Sequence, residues 1–334
     1  MRMVHQLDPA CWSQFVSTNP QANIFHTPEM FEVFTRTRGY RPTLTAVVGA
    51  NGRCLALLPS VQITILGGLL RPLTTRTVAY GSVLCAPDAE GQQALALLLR
   101  THKREAGVGT LLTELRNLSN MTDVQPVLSA NGFTFEEHLN FLIDLTRPQN
   151  QLWQNIRSNA RRNIQKARKE GVEIAEVSAA SEIPVAYDLL RQVYRRIQVP
   201  LPDQSLFQAA FEVLHPRGMF RILLARAKGI PIGVLTLLMH KGVITYWYTG
   251  TLREYAEYRA GDLLVWHTLE LGSNTGFQCF DFGGGGRPDE EYGVRDFKAK
   301  FGGDLVNYGR NICVHAPLRL KLSTQGYQLV RKFL

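Results

Sequence analysis

The sequence has no CxxC pair and no metal-ligand spacing, and its five cysteines, Cys11, Cys54, Cys85, Cys279 and Cys313, are odd in number. That pattern excludes a disulfide framework or zinc ribbon and leaves reduced thiols in apolar runs, as expected of a cytoplasmic protein. Long apolar runs are missing too. The stretch from Cys54 to Leu70 is interrupted by Pro59, Gln62, Gly67 and Gly68, and is too short and broken to span a bilayer. The N-terminal MRMVHQLDPA lacks the apolar core of a signal peptide. No Ser/His/Asp set emerges; His26 and His267 read as a helix-start residue and a core histidine. With no metal cluster and no nucleotide loop, no cofactor is expected.

What is present describes a soluble α/β protein of two domains. The chain has 334 residues, 45% apolar and 19% charged. Its net charge of +9 is unevenly spread: residues 1–148 hold 12 Lys/Arg against 11 Asp/Glu, and the rest hold 25 against 17. The second half is therefore expected to meet an anion: nucleic acid, a diphosphate or an acidic membrane face.

Periodicity and turn signals predict the order β-α-α-β-β-β-α-β-α-β in the first half. Thr27-Pro28 marks a helix start, and Asn51-Gly52 a hairpin between strands at 42–48 and 53–61. Helices over 88–106 and near 122–130 and strands at 63–66, 78–84, 110–116 and 133–145 complete it. The join is expected at 147–150, giving domains 1–148 and 149–334. The second half repeats the order: a strand at 172–177, helices near 182–198 and 203–214, and strands at 219–227, 232–240 and 243–250. A helix over 259–274, a strand at 277–282, a glycine loop, a short helix and a strand at 304–313 follow.

The clearest helix is expected from Leu152 to Glu170. Trp153, Ile156, Ala160, Ile164 and Ala167 form its apolar face. Arg157, Arg161, Arg162, Lys166, Arg168 and Lys169 fill the rest with no acid among them, so a polyanion partner would relieve their mutual repulsion.

The chain is organised around Phe280 to Gly303, FDFGGGGRPDEEYGVRDFKAKFGG. A strand end breaks into Gly283–Gly286, and a helix begins near Gly293 and stops at Gly302-Gly303. A glycine loop entering a helix can offer free N–H groups to an anion or an oxyanion, or be only a permissive turn. Its four glycines fit neither GxGxxG nor GxxxxGKS/T.

FDFGG, then a gap, then FKxxFGG resembles the C-terminal signature of the Fem family of peptidoglycan-bridge aminoacyltransferases. Tyr246-Trp247-Tyr248-Thr249-Gly250 resembles its aromatic strand, Asp262 to Trp266 its following helix and Arg161 to Val172 its basic helix. The resemblance covers residues 150–312. It implies tandem Gcn5-related N-acetyltransferase (GNAT) domains, the second catalytic, and an aminoacyl-tRNA donor. The acceptor it implies is a peptide-bearing amine of cell-wall biogenesis, lipid-linked or free, with contact at a membrane surface and no DNA.

By the same resemblance, Lys298 matches the lysine beside the donor's acyl end, at the helix start facing the glycine loop, and Phe297 its aromatic neighbour. Asp281 binds the acceptor amine or caps the loop. Tyr246 and Tyr248, sharing a strand face, line the acceptor groove with Gly283 and Gly284; Arg157, Arg161 and Arg196 hold phosphate. The chain departs from the pattern at Pro202 and Leu206, where bridge enzymes carry diphosphate-holding Arg and Tyr, and at Phe34, where a lysine is expected near Arg36 and Arg38. The usual acetyl-CoA loop, R/Q-x-x-G-x-G/A, is replaced by TLREYAEYRAGD with Gly261 as its one glycine, which speaks against acetyl-CoA. Two alternatives stay open: an acyl-CoA-type N-acyltransferase for an exopolysaccharide or small metabolite, and a non-catalytic RNA-binding protein.

Overall fold

The computed structural model describes residues 1–107 and 109–333. It is α/β and falls into two compact units, Met1–Glu137 with Tyr308–Leu334, and His138–Asn307. Each unit is built on one mixed sheet. In the first, the strands run Arg2–Val4, Tyr40–Val48, Cys54–Thr64, Thr75–Ala79, Leu112–Arg116, Arg310–Val314 and Thr134–Glu136, with Leu84–Cys85 beside Cys54–Thr64. In the second they run Asp304–Asn307, Leu139–Asp144, Cys279–Asp281, Val243–Thr251, Ile230–His240, Phe220–Ala227 and Glu173–Glu176. Each sheet has one parallel pair among antiparallel ones: Thr75–Ala79 with Leu112–Arg116, and Val243–Thr251 with Cys279–Asp281.

These pairings correct the expected join at 147–150. The single strands expected at 133–145 and 304–313 are each two strands in different sheets. Thr134–Glu136 pairs with Arg310–Val314 in the first unit, while Leu139–Asp144 pairs with Asp304–Asn307 in the second. Strand-forming residues lie on both sides of each break, so a sequence pattern alone reads through it.

The local chemistry of the elements follows their sequence. Thr27 caps the helix Pro28–Arg36 by accepting from the Met30 N–H at 3.1 Å. The first core forms where Ala94, Leu95, Leu98 and Leu99 of Ala89–Ala106 pack against Leu55, Leu58 and Leu115 of the sheet. Their spacing of three and four residues puts them on one helical face.

The second core gathers Leu223, Leu235, Leu237 and Ile244 of the sheet with Leu264, Val265 and Leu269 of Ala260–Asn274. The helix expected over Leu152–Glu170 is instead two, Gln149–Asn155 and Ser158–Lys169. At the elbow, Arg157 takes extended backbone angles and its N–H donates to the Lys300 carbonyl at 2.8 Å. A contact from outside the helix replaces the bond a continuous helix would make there. Gly302 meets this elbow in a left-handed conformation, φ 78°, and a Cβ there would collide with the Asn155 carbonyl. The second half of the FKxxFGG motif is thus explained by backbone packing.

Candidate active site

The site is built at the end of the parallel strand pair of the second unit. Phe280 and Phe282 are fully buried, 4.8 Å apart edge to face, and Phe282 also packs on Tyr246 and Phe301. Between these rings the chain passes Asp281, and just after them it turns at Gly283, whose φ is 73° and whose absent Cβ would lie 2.8 Å from the Tyr246 carbonyl. The aromatic strand and the glycine loop therefore approach too closely for any other residue at this turn.

Lys298 closes the site from the helix Gly293–Lys298. It stands at the C-terminal end of that helix, not at its start, because the helix is only six residues long and the following turn, Ala299–Phe301, is tighter. Its Nζ donates to the carbonyls of Phe282 and Gly284, both at 2.6 Å. The ammonium also lies 5.3 Å from the centre of the Tyr246 ring and 5.7 Å from that of Phe282. The side chain is buried, at 6% exposure. Burial pulls its pKa down to about 8, against the opposing charge of Asp281. Two of the three ammonium hydrogens are engaged by carbonyls, so the group has donor capacity for one further acceptor.

Asp281 is an internal cap. Its Oδ1 accepts from Asn140 Nδ2 at 2.6 Å and from the Gly283 N–H at 2.7 Å. Burial pushes its carboxyl up, against those two hydrogen bonds and the Lys298 charge. Asn140 Oδ1 in turn accepts from the N–H groups of Gly284 at 2.8 Å and Phe141 at 2.9 Å. The Gly285 N–H donates to the Leu139 carbonyl. The free amides expected of the glycine loop are therefore already used at Gly283, Gly284 and Gly285, and an oxyanion there would have to displace them. Asn140 is the residue that sequence reading missed. It lies 141 positions from Asp281, on a strand with no distinguishing motif, so no local signal could have found it.

The aromatic strand carries a bulge, visible as a register shift between Leu235 and Leu237 against Thr249 and Tyr246. Thr236 satisfies it: its Oγ1 accepts from the Tyr248 N–H at 2.9 Å and donates to the Tyr248 carbonyl at 3.2 Å. The extra residue breaks the alternation, so Tyr246 and Tyr248 join different aromatic clusters, which corrects the expected shared face. Tyr246 packs on Phe280 and Phe282. Tyr248 joins Trp247, Tyr194 and Phe207.

Of the remaining expected residues, Phe297 packs at the edge of this cluster and the arginines lie outside it. Phe297 is half-buried, 5.4 Å from Phe301, with the Lys300 ammonium 5.6 Å from its ring. Arg157 is exposed and Arg161 half-buried. Arg168 pairs with Glu270 at 3.0 Å, so an acid from another helix relieves one of the six cations. Arg196 is exposed at the end of the helix Ile183–Arg196. Leu206 is core, and the Pro202 carbonyl accepts from the Tyr187 hydroxyl at 3.0 Å. At the start of Ala260–Asn274, Arg259 takes a left-handed φ of 57° and the first-turn Asp262 is buried. Its Oδ1 accepts from Asn163 Nδ2 at 3.3 Å, and burial pushes the carboxyl up, against that bond and the nearby Lys300 and Arg259 charges. Among the described residues no group of three or more His, Cys, Asp or Glu could hold a metal.

Residues 154–298 match the family model described as an acetyltransferase (GNAT) domain. The matched stretch is a GNAT-type acyltransferase domain. The matched span runs from the elbow to Lys298 and so contains the whole cluster except Asn140 and Phe301. Among solved structures, FemX matches with a TM-score of 0.70 at 16% identity, covering 99% of this chain and 100% of its own. The L-PGS of Bacillus licheniformis matches at 0.60 and 13%, covering 97% and 98%. A tandem GNAT protein from the clavulanic acid biosynthesis pathway matches at 0.57 and 12%, covering 95% and 99%. At these identities the likeness is one of fold, and the fold is tandem GNAT. No curated protein matches the sequence significantly.

Proposed function

We propose that this GNAT acyltransferase moves an aminoacyl group from aminoacyl-tRNA to the amine of a peptide-bearing acceptor, as in peptidoglycan synthesis. The observation that carries this reading is the buried Lys298 ammonium, held by two carbonyls within a motif that resembles the Fem signature. In the reaction, the acceptor nitrogen attacks the ester carbonyl carbon and a C–N bond forms. The C–O bond to the tRNA ribose then breaks, and the proton lost by nitrogen ends on the ribose oxygen. Lys298 supplies positive charge as the carbonyl oxygen becomes an oxyanion. Phe297 and Tyr246 shape the apolar wall beside it, and Asp281 with Asn140 holds the loop in place. Arg157 and Arg161 meet the tRNA phosphates, with Arg196 a further anion contact. A tRNA donor places the enzyme in the cytoplasm.

Leu206 and Pro202 supply no diphosphate-holding groups, which favours an acceptor other than the usual bridge precursor. The acyl-CoA alternative meets a loop, TLREYAEYRAGD, that lacks the usual R/Q-x-x-G-x-G/A pattern and has Gly261 as its one glycine. Incubation with charged bulk tRNA and amine acceptors, followed by mass analysis, separates the readings. An amino-acid mass added only with charged tRNA supports the proposal. Product formed from acyl-CoA alone, or micromolar binding of acetyl-CoA, overturns it.

A further inference from the structure

We infer that the first unit carries a docking surface for an anionic membrane, formed by the hairpin tip 65–70 and the first turns of the helix Pro317–Phe333. Ile65, Leu66, Leu69 and Leu70 are all exposed at the tip, Leu69 to 99%, and Leu318 and Leu322 are 81% and 60% exposed. The helix packs against the short helix Arg71–Thr74 that follows the tip, which brings the two leucine groups into one neighbourhood. Leu318 and Leu322, four apart, share one helical face. Six exposed aliphatic side chains gathered this way form a patch of the kind that soluble surfaces avoid.

Charge selects the occupant. The chain has no Asp or Glu between Glu32 and Asp88 and none after Asp304. The segments that present the leucines carry Arg71, Arg319 and Lys321. Apolar side chains on segments that carry cations and no acids match a bilayer with anionic headgroups, where hydrocarbon takes the leucines and phosphate the cations. A second copy of the chain would meet this surface with like charge. No described helix is long and apolar enough to cross a membrane. The inference is independent of the donor proposed above.

Sedimentation of the full chain with vesicles tests it. Phosphatidylcholine vesicles containing phosphatidylglycerol are expected to bind the protein, and pure phosphatidylcholine vesicles much more weakly. Leu69→Ser with Leu318→Ser should lower partitioning by about tenfold or more without changing the melting temperature, because both side chains are exposed. Arg319→Gln with Lys321→Gln should lower it about fivefold per charge. Turnover of a water-soluble acceptor should be unchanged in both variants. Equal binding to both vesicle types, or wild-type partitioning by the leucine variant, overturns the inference. So does a monomer–dimer equilibrium abolished by Leu69→Ser, which would assign the face to a second copy.

Discussion

Both units place a charged group at their parallel strand pair, but they treat it in opposite ways. In the first, Glu114 is buried among three guanidiniums: Arg310 at 2.6 Å, Arg116 at 3.1 Å and Arg76 at 3.8 Å. Burial alone would raise its pKa, yet the charges of Arg116, Arg310 and Arg76 outweigh it and hold the carboxyl at about 2. In the second, Lys298 is buried among neutral carbonyls and aromatic faces, and burial wins, bringing it down to about 8. A charge surrounded by full counter-charges is locked and serves the fold. A charge held mainly by dipoles titrates near neutrality and can follow a reaction.

The largest effect expected from breaking this contrast is on the rate. Lys298→Met should lower kcat by about 10²–10³, the usual loss for one oxyanion-stabilising group, with donor affinity retained. Near-normal turnover by the folded variant would remove Lys298 from the site. The pH profile sharpens the point: if the ammonium is the working form, the Lys298-dependent part of the rate falls as pH rises through about 8. A rise through the same range would make the neutral amine the working form. For stability the sign is separate. The folded pKa lies below the ordinary lysine value of 10.5, so the cost of burying the charge is present below about 8 and is relieved as pH rises towards 10.5.

Next in size is the locked carboxylate. Glu114→Gln leaves three arginines without their shared counter-charge and should cost about 3 kcal/mol of stability, measured by denaturant unfolding, with kcat nearly unchanged. Because the Glu114 pKa is depressed, its contribution is present above the ordinary value of 4.5 and is lost as pH falls towards about 2. The variant should lack that acid slope.

Smaller still is Asn140→Ala, which strips partners from Asp281 and the Gly284 N–H. A loss of about 1–3 kcal/mol is expected in denaturant unfolding, with a drop in kcat smaller than that of Lys298→Met. The smallest effect concerns the exposed face of Ser158–Lys169 and its elbow. Arg157→Glu with Arg161→Glu should weaken tRNA binding and make the salt dependence shallower by about two phosphate contacts. Unchanged affinity would show a solvated face.

The sequence by itself determined most of the element order, the Thr27 and Pro28 helix start, the Asn51-Gly52 hairpin and the motif that holds Lys298. These depend on neighbours a few residues apart, where periodicity, caps and turn residues act. Only the tertiary structure decided which sheet each half of 133–145 and 304–313 joins, since strand pairing is chosen by partners far away in the chain. It also decided that Tyr246 and Tyr248 part at a bulge, because Thr236 supplies the bonds that stabilise it. It brought Asn140 to Asp281 across 141 positions, and so turned the amides of the glycine loop inward. Lys298 was legible as a residue, but its pKa was not: that depends on burial and on the two carbonyls that fold back onto it.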